Sequence, residues 1–243
     1  MITHPPRNRL LLALPPADLG LLLPHLDPVP LRKGEVVIHS GEPFAHAYFP
    51  ESGLASVVCN TGEGRRAEVG LFGFEGMVST ALVLGSDRTP HETFLQVGGT
   101  WLRIGADILT RAMRQSPALH GVLMRYVQTY LLTLGQTALA NGVYKIEERL
   151  ARWLLMCHDR LDGDDLPLTH EFLSLMLAVH RPGVTMAVHV LEGARAIRAR
   201  RGVITVLDRG KLEEAAGGIY GIAEAEYERL IGPFRMLGGG AGA

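Results

Sequence analysis

The sequence predicts an α+β chain, with a roll of short antiparallel strands first and helices afterwards. Three observations predict it. Between residues 29 and 104, short apolar runs alternate with Gly- and Pro-rich turns, the texture of an all-β roll, barrel or sandwich. No segment of helical length separates those runs, which argues against a parallel sheet with crossover helices. After residue 105 the apolar positions recur every third or fourth residue instead.

The elements follow in chain order. Arg7 and Arg9 precede the apolar run Leu10 to Leu14, like the start of an export signal, but Pro15, Pro16 and Asp18 interrupt it. Residues 8–26 therefore read as two short helical turns. Strands are expected at Val36–Ile38, Ala47–Phe49, Leu54–Cys59, Ala67–Leu71, Thr93–Val97 and Trp101–Ile104, with a hairpin loop over Asn60–Gly64. Ser116-Pro117 is an N-cap followed by proline in the first helical turn. The helix it starts runs to about Ala140, and its apolar stripe, from Leu119 and Val122 to Ala138 and Leu139, covers more than one face. A stripe that wide needs two partners, the β-domain and a second copy of the same helix. Asn141-Gly142 is expected to break it.

Beyond that point, Ile146, Leu150, Trp153, Leu154 and Cys157 keep helical spacing. Thr169 is placed to cap a short helix carrying Phe172, Leu173, Met176 and Leu177. Ala178-Val179-His180 connects it to a second helix, from about Arg181 to Gly193, with Pro182 in its first turn. Arg200-Arg201-Gly202 then turns into Val203–Val206. Two short helices joined by a tight connection and followed by a basic hairpin describe a winged helix-turn-helix. Residues 223–230 suggest one more short helix, and Gly238 to Ala243 an unstructured end.

Composition narrows the functions. The chain has 243 residues, 47% hydrophobic and 20% charged, enough for a packed core and too apolar for wholesale disorder. The formal net charge of −1 excludes a globally basic binder. Two cysteines, Cys59 and Cys157, exclude a disulfide framework and a four-cysteine zinc or iron–sulfur site within one chain. They read as reduced core thiols, which fits the cytoplasm. No run approaches the roughly 18–20 apolar residues of a membrane span. His39, His46, His91 and His120 stand in no distinctive haem-ligand context. His158 and His170 near Asp162, Asp164 and Asp165 read as a solvated turn rather than a metal site. HExxH, GxSxG, P-loop and GxGxxG motifs are all absent, so no enzyme is expected.

The charge is unevenly placed. Residues 181–211 hold seven basic residues against Glu192 and Asp208, a net +5, which leaves −6 for the rest of a chain totalling −1. On the second helix, Val184, Val188 and Leu191 share one face. Arg181, Thr185, Met186 and His189 share the other. An arginine in the first turn can fork onto guanine or phosphate, and the remaining three offer a hydroxyl, an apolar tip and an imidazole. Thr169, His180, Arg181, Gly183, Thr185, Met186, His189, Arg200 and Arg201 are therefore the expected DNA-binding residues. A β-roll module that binds an acidic partner is the alternative.

At these residues the chain resembles the Crp/Fnr family of bacterial transcription regulators over nearly its whole length. The segment LPLTHEFLSLMLAVHRPGVTMAVHVLEGARAIRARRGVITVLDRGKLEE, residues 166–214, looks like that family's helix-turn-helix and wing. YFPESGLASVV (48–58) and VGLFGFEGMV (69–78) look like its cyclic-nucleotide-binding-like β-roll. The resemblance implies a sensor domain over 1–115, a dimerisation helix and hinge over 116–142, a DNA-binding domain over 143–215 and a tail over 216–243. It also implies a homodimer through the 117–140 helix, double-stranded DNA as partner, and RNA polymerase if the protein activates. Where members place Glu and Arg on the recognition helix, this chain has Pro182 and Met186 but keeps Arg181, so a familiar half-site does not carry over. Nucleotide-binding relatives carry Gly-Glu and then Arg-Ser/Thr-Ala. Here Gly73-Phe74-Glu75-Gly76 and Arg88-Thr89-Pro90 stand instead. Glu75, Arg88 and Thr89 are the candidate ligand residues. The displaced glutamate and the proline, which removes an N–H, argue against a cyclic nucleotide. The effector is left unidentified.

Overall fold

A computed structural model describes residues 5–60, 63 and 66–234. The expected unstructured end at Gly238–Ala243 and most of the hairpin loop lie outside them. Helices α1 (Arg9–Leu12) and α2 (Pro16–Leu22) are the two short turns read from the sequence. Asn8 caps α1 by accepting from the Leu11 amide, and its amide group donates to the carbonyls of Pro50 and Gly76. One fully buried polar side chain thus fastens the N-terminal segment to the roll.

The roll consists of two antiparallel sheets. One has the order β1 (Asp27–Leu31), β7 (Gly99–Gly105), β3 (His46–Pro50). The other runs β2 (Val36–Ile38), β6 (Glu92–Val97), β4 (Leu54–Asn60), β5 (Arg66–Phe72). Strand β1 has no strand signature because Pro28 and Pro30 interrupt it. It survives as an edge strand, where missing N–H donors are tolerated. Phe49, Leu95, Trp101 and Ile104 fill the space between the sheets. Two further helices, α3 (Thr80–Val83) and α4 (Ala106–Gln115), close the roll.

Helix α5 (Pro117–Val143) begins as the sequence indicates: Ser116 Oγ accepts from the Leu119 amide and Pro117 follows. Glycines let it approach β5 and the turn after it. A Cβ on Gly70 would lie 2.6 Å from the Tyr130 hydroxyl, and one on Gly76 only 1.9 Å from that of Tyr126. Phe72 and Tyr130 stack with ring centres 4.8 Å apart. The expected break at Asn141-Gly142 is not there. The helix runs through both residues and ends at Tyr144-Lys145.

The second half holds α6 (Ile146–His158), β8 (Asp165–Leu166), α7 (His170–Leu177), α8 (Arg181–Gly193), β9 (Ile197–Arg200), β10 (Val203–Val206), α9 (Arg209–Ala215) and α10 (Ile222–Leu230). Its hydrophobic cluster includes Leu54 and Leu71 of the roll, so the two halves share a core. Two buried carboxyl groups cross the boundary. Glu75 accepts from Arg160 Nε at 2.8 Å, with both side chains buried. Glu68 accepts from Trp153 Nε1 at 2.5 Å and Gln96 Nε2 at 2.7 Å, and from Ser56. Asp162, read from sequence as part of a solvated polar turn, is bonded to Arg7 and remains largely exposed. Helix α10 returns to lie on α5, where Tyr227 donates to the Glu75 carbonyl and Arg125 to that of Leu230. Among the described residues no helix is long and apolar enough to cross a membrane.

Candidate nucleic-acid interface

The interface is built on the α7–α8 pair. Thr169 Oγ1 accepts from the Phe172 amide, which sets the start of α7. The helix stops at Ala178, which takes the left-handed conformation (φ 51°) and sends its N–H back to the last turn. That reversal lets α8 start at Arg181 with Pro182 in its first turn. Val184, Ala187, Val188 and Leu191 are buried, as the spacing requires, and fix which side of α8 faces outward. Met186 is 70% exposed, and Arg181, His189 and Val190 are exposed with it.

Two expected contacts sit differently. Thr185 is half-buried, donating to the Arg181 carbonyl at 3.1 Å and lying 3.4 Å from His170 Nδ1. Gly183 faces α6, where a Cβ would come within 3.2 Å of Ile146 Cδ1. Its lack of a side chain serves helix packing, and it is not on the outer face. His180 is exposed at the N-cap position of α8.

Strands β9 and β10 form the wing, turning at Arg201-Gly202 with Gly202 at φ 79°. Glu192 on α8 accepts from the Ala199 amide at 2.7 Å and holds the wing against the helix. The groove between them has a volume of about 480 Å³. It gathers Thr169, Arg181, His189, Arg200 and Arg201 from the expected set. His170 and Glu192 also line it. Sequence reasoning missed both, although His170 follows the cap residue directly.

Charge on this face is narrower than the sequence count implies. Arg209 is bound to Asp159 at 2.8 Å and Glu213 at 2.9 Å, and Lys211 lies 3.8 Å from Asp208. Among the described residues no carboxylate lies within ion-pair distance of Arg181, Arg195, Arg198, Arg200 or Arg201. The positive field therefore belongs to α8 and the wing rather than to α9.

The three candidate ligand residues do not converge. Glu75 is buried against Arg160 and does not line the cavity beside α5. Arg88 is exposed and forks onto Asp87 at 3.0 Å. Thr89 alone borders the cavity between the roll and α5. Cys157 is a core thiol, which burial pushes well above its ordinary pKa. Cys59 is half-buried and lies 3.3 Å from His91 Nδ1 at the cavity wall, a context its strand position did not reveal. His158 pairs with Asp164 at 2.9 Å, while His170 is in the groove.

Comparison with known proteins bears on both halves. Residues 148–215 match the family model of the Crp-like helix-turn-helix domain, and residues 28–116 that of the cyclic nucleotide-binding domain. No curated protein matches the chain. Among solved structures it is similar to FixK2 from Bradyrhizobium japonicum, with TM-score 0.67 and 16% identity, covering 78% of this chain and 96% of that one. It is similar to a CRP-family transcriptional regulator of Thermus thermophilus, with TM-score 0.65 and 20% identity over 78% and 97% of the two chains. It is also similar to the c-di-GMP-responsive global regulator CLP of Xanthomonas campestris, with TM-score 0.63 and 17% identity over 78% and 98%.

Proposed function

The chain belongs to the Crp/Fnr family of DNA-binding transcriptional regulators, and from that premise we propose that it acts as a homodimer reading a two-fold symmetric operator, under the control of an effector held by the roll. In this reading residues 1–115 sense, 116–142 pair the subunits and transmit, 143–215 bind DNA, and 216–243 form the tail. The observation that carries it is the groove where Arg181, Arg200 and Arg201 meet Thr169 and His189. Arg181 and His189 face base edges, with Met186 making apolar contact beside them. Thr169, Arg200 and Arg201 face phosphates, which fix register. His180 lies at the mouth of α8. Thr185 and Gly183 support the helix that the others use.

The second copy is inferred from α5. Met124, Gln128, Leu131, Gly135, Ala138 and Gly142 are spaced alternately four and three apart, the repeat of a two-helix seam. Met124, Gln128, Leu131, Gly135, Ala138 and Gly142 are exposed, and the small residues permit close approach. Such a seam would set two α8 helices one duplex turn apart, about 34–36 Å. The reading places the protein in the cytoplasm with its DNA, assigns it no catalysis, and includes contact with RNA polymerase where it activates.

The experiment is selection of bound duplexes from a random pool, followed by gel shift across a salt series. A two-fold symmetric site whose affinity falls steeply with salt is expected. Leu131→Asp should shift the protein from dimer to monomer in analytical ultracentrifugation and abolish binding to the paired site. Selection of no sequence, with salt-independent retention of an acidic protein instead, would replace DNA with the acidic-partner reading.

A further inference from the structure

Between the second sheet of the roll and α5 lies a cavity of about 400 Å³, within the roughly 300–1,000 Å³ range of small-molecule sites. Ile38, Val57, Val69 and Phe72 form its sheet side, and Tyr130 and Leu134 its helix side. Its polar groups are hydrogen-bonding ones, chiefly the Cys59–His91 pair, Thr89, Thr137 and Asn141. No Asp, Glu, Lys or Arg is among the described residues that line it. The neighbouring cations are already engaged: Arg88 with Asp87, and Arg66 with Glu92 at 2.5 Å and with Asn60.

A ligand phosphate placed here would lose its water and meet no arginine or lysine, a loss that a few hydroxyls do not offset. An apolar molecule gains from the same walls, because its surface leaves water against aliphatic and aromatic side chains. We propose that the cavity binds an uncharged, mainly apolar small molecule, oriented by hydrogen bonds at Cys59–His91 or at Thr137, and that it does not bind a cyclic nucleotide. The proposal rests on the reading of the roll as the sensory half.

Thr137 gives that ligand a route to the DNA-binding half. It lines the cavity, and its hydroxyl accepts from Arg152 Nη1 of α6 at 3.2 Å. Arg152 is buried and also reaches the Thr133 carbonyl at 3.4 Å. A ligand that takes the Thr137 hydroxyl competes with the first helix of the second half for the same oxygen.

The test is fluorescence titration of the full-length protein with N-phenyl-1-naphthylamine, a neutral apolar probe, with cyclic AMP and cyclic di-GMP as competitors. Saturable binding of one probe per chain, undisturbed by either nucleotide, is expected. Val57→Trp and Ala81→Trp fill the cavity from two different elements, and each should weaken the probe by about tenfold or more, roughly 1.4 kcal/mol. Circular dichroism identifies which of them fold. Leu12→Asp, at an exposed apolar residue of α1 that does not line the cavity, should leave probe binding intact. Displacement by either nucleotide, or undiminished binding to a folded cavity-filled variant, overturns the proposal. Absence of saturable probe binding by protein that still shifts DNA also overturns it, while leaving the regulator reading in place. Saturable binding with no effect on the gel shift keeps the ligand class and removes the sensory reading.

Discussion

Two hollows of similar size, the groove beside α8 and the cavity beside α5, have opposite chemistry. The groove of about 480 Å³ holds three arginines that meet no carboxylate at ion-pair distance among the described residues, and the described residues lining the cavity of about 400 Å³ include no Asp, Glu, Lys or Arg. The groove is open and wet, so its cations keep their hydration until a polyanion displaces counterions. The cavity is walled by strands and a helix, where an unpaired charge would be costly. The same fold thus separates a site for a charged polymer from one for a neutral molecule by where it puts arginine, not by how much space it leaves.

That contrast holds only if both hollows belong to one body, and the strongest way to break it is at Glu75–Arg160. Arg160→Ala strands a buried carboxylate and should cost about 3–5 kcal/mol in urea denaturation. Arg160→Ala combined with Glu75→Gln should recover part of that loss. An Arg160→Ala protein as stable as the parent would mean that the pair does not join the halves. Glu68 offers a graded test. Burial, the dominant cause, pushes its carboxyl up to about 8 against the opposing pull of Ser56, Trp153 and Arg152. The folded chain therefore keeps a proton that the unfolded chain releases near pH 4.5. Its stabilising contribution is complete below that value and is lost as pH rises to about 8. The slope attributable to this group is at most about 1.4 kcal/mol per pH unit. Glu68→Gln should flatten stability across this window, and parallel curves for the two proteins would remove the assignment.

Smaller effects sharpen the groove. Arg181→Ala should weaken operator binding by about 1–3 kcal/mol and relax specificity at one position, whereas an equal loss on all DNA would make it a phosphate contact. Arg200→Ala or Arg201→Ala should lower affinity uniformly and reduce the salt slope by about one. An unchanged slope would take the wing off the backbone. Smallest is Ala178→Gly, which relieves a left-handed non-glycine residue at the α7–α8 turn and should stabilise by about 0.5–1 kcal/mol in thermal denaturation. A lower melting temperature would show that the turn carries no strain.

Much of the groove was legible because its logic is local. The α8 bounds follow from Pro182 and the Val184–Leu191 spacing, and the wing from Arg201-Gly202 between two short strands. The cavity was not legible, since its walls come from β2, β4, β5, β6 and α5, and no local pattern records which residues meet there. Glu75 resembled a ligand residue because its partner, Arg160, is 85 positions away. Asn141-Gly142 looked like a stop, but one glycine disfavours a helix without ending it, and the helix ends only at Tyr144, whose N–H still donates to the Ala140 carbonyl. Helix α3 and strand β1 were too short, or too rich in proline, to announce themselves.

The homecoming of α10 has a mechanical corollary. Helix α10 lies across α5 and grips the Glu75 carbonyl through Tyr227, on the same loop whose side chain holds Arg160. The chain is therefore stitched to its first half at both ends of the winged unit. Turning that unit against the roll means undoing the clasp that Tyr227 makes.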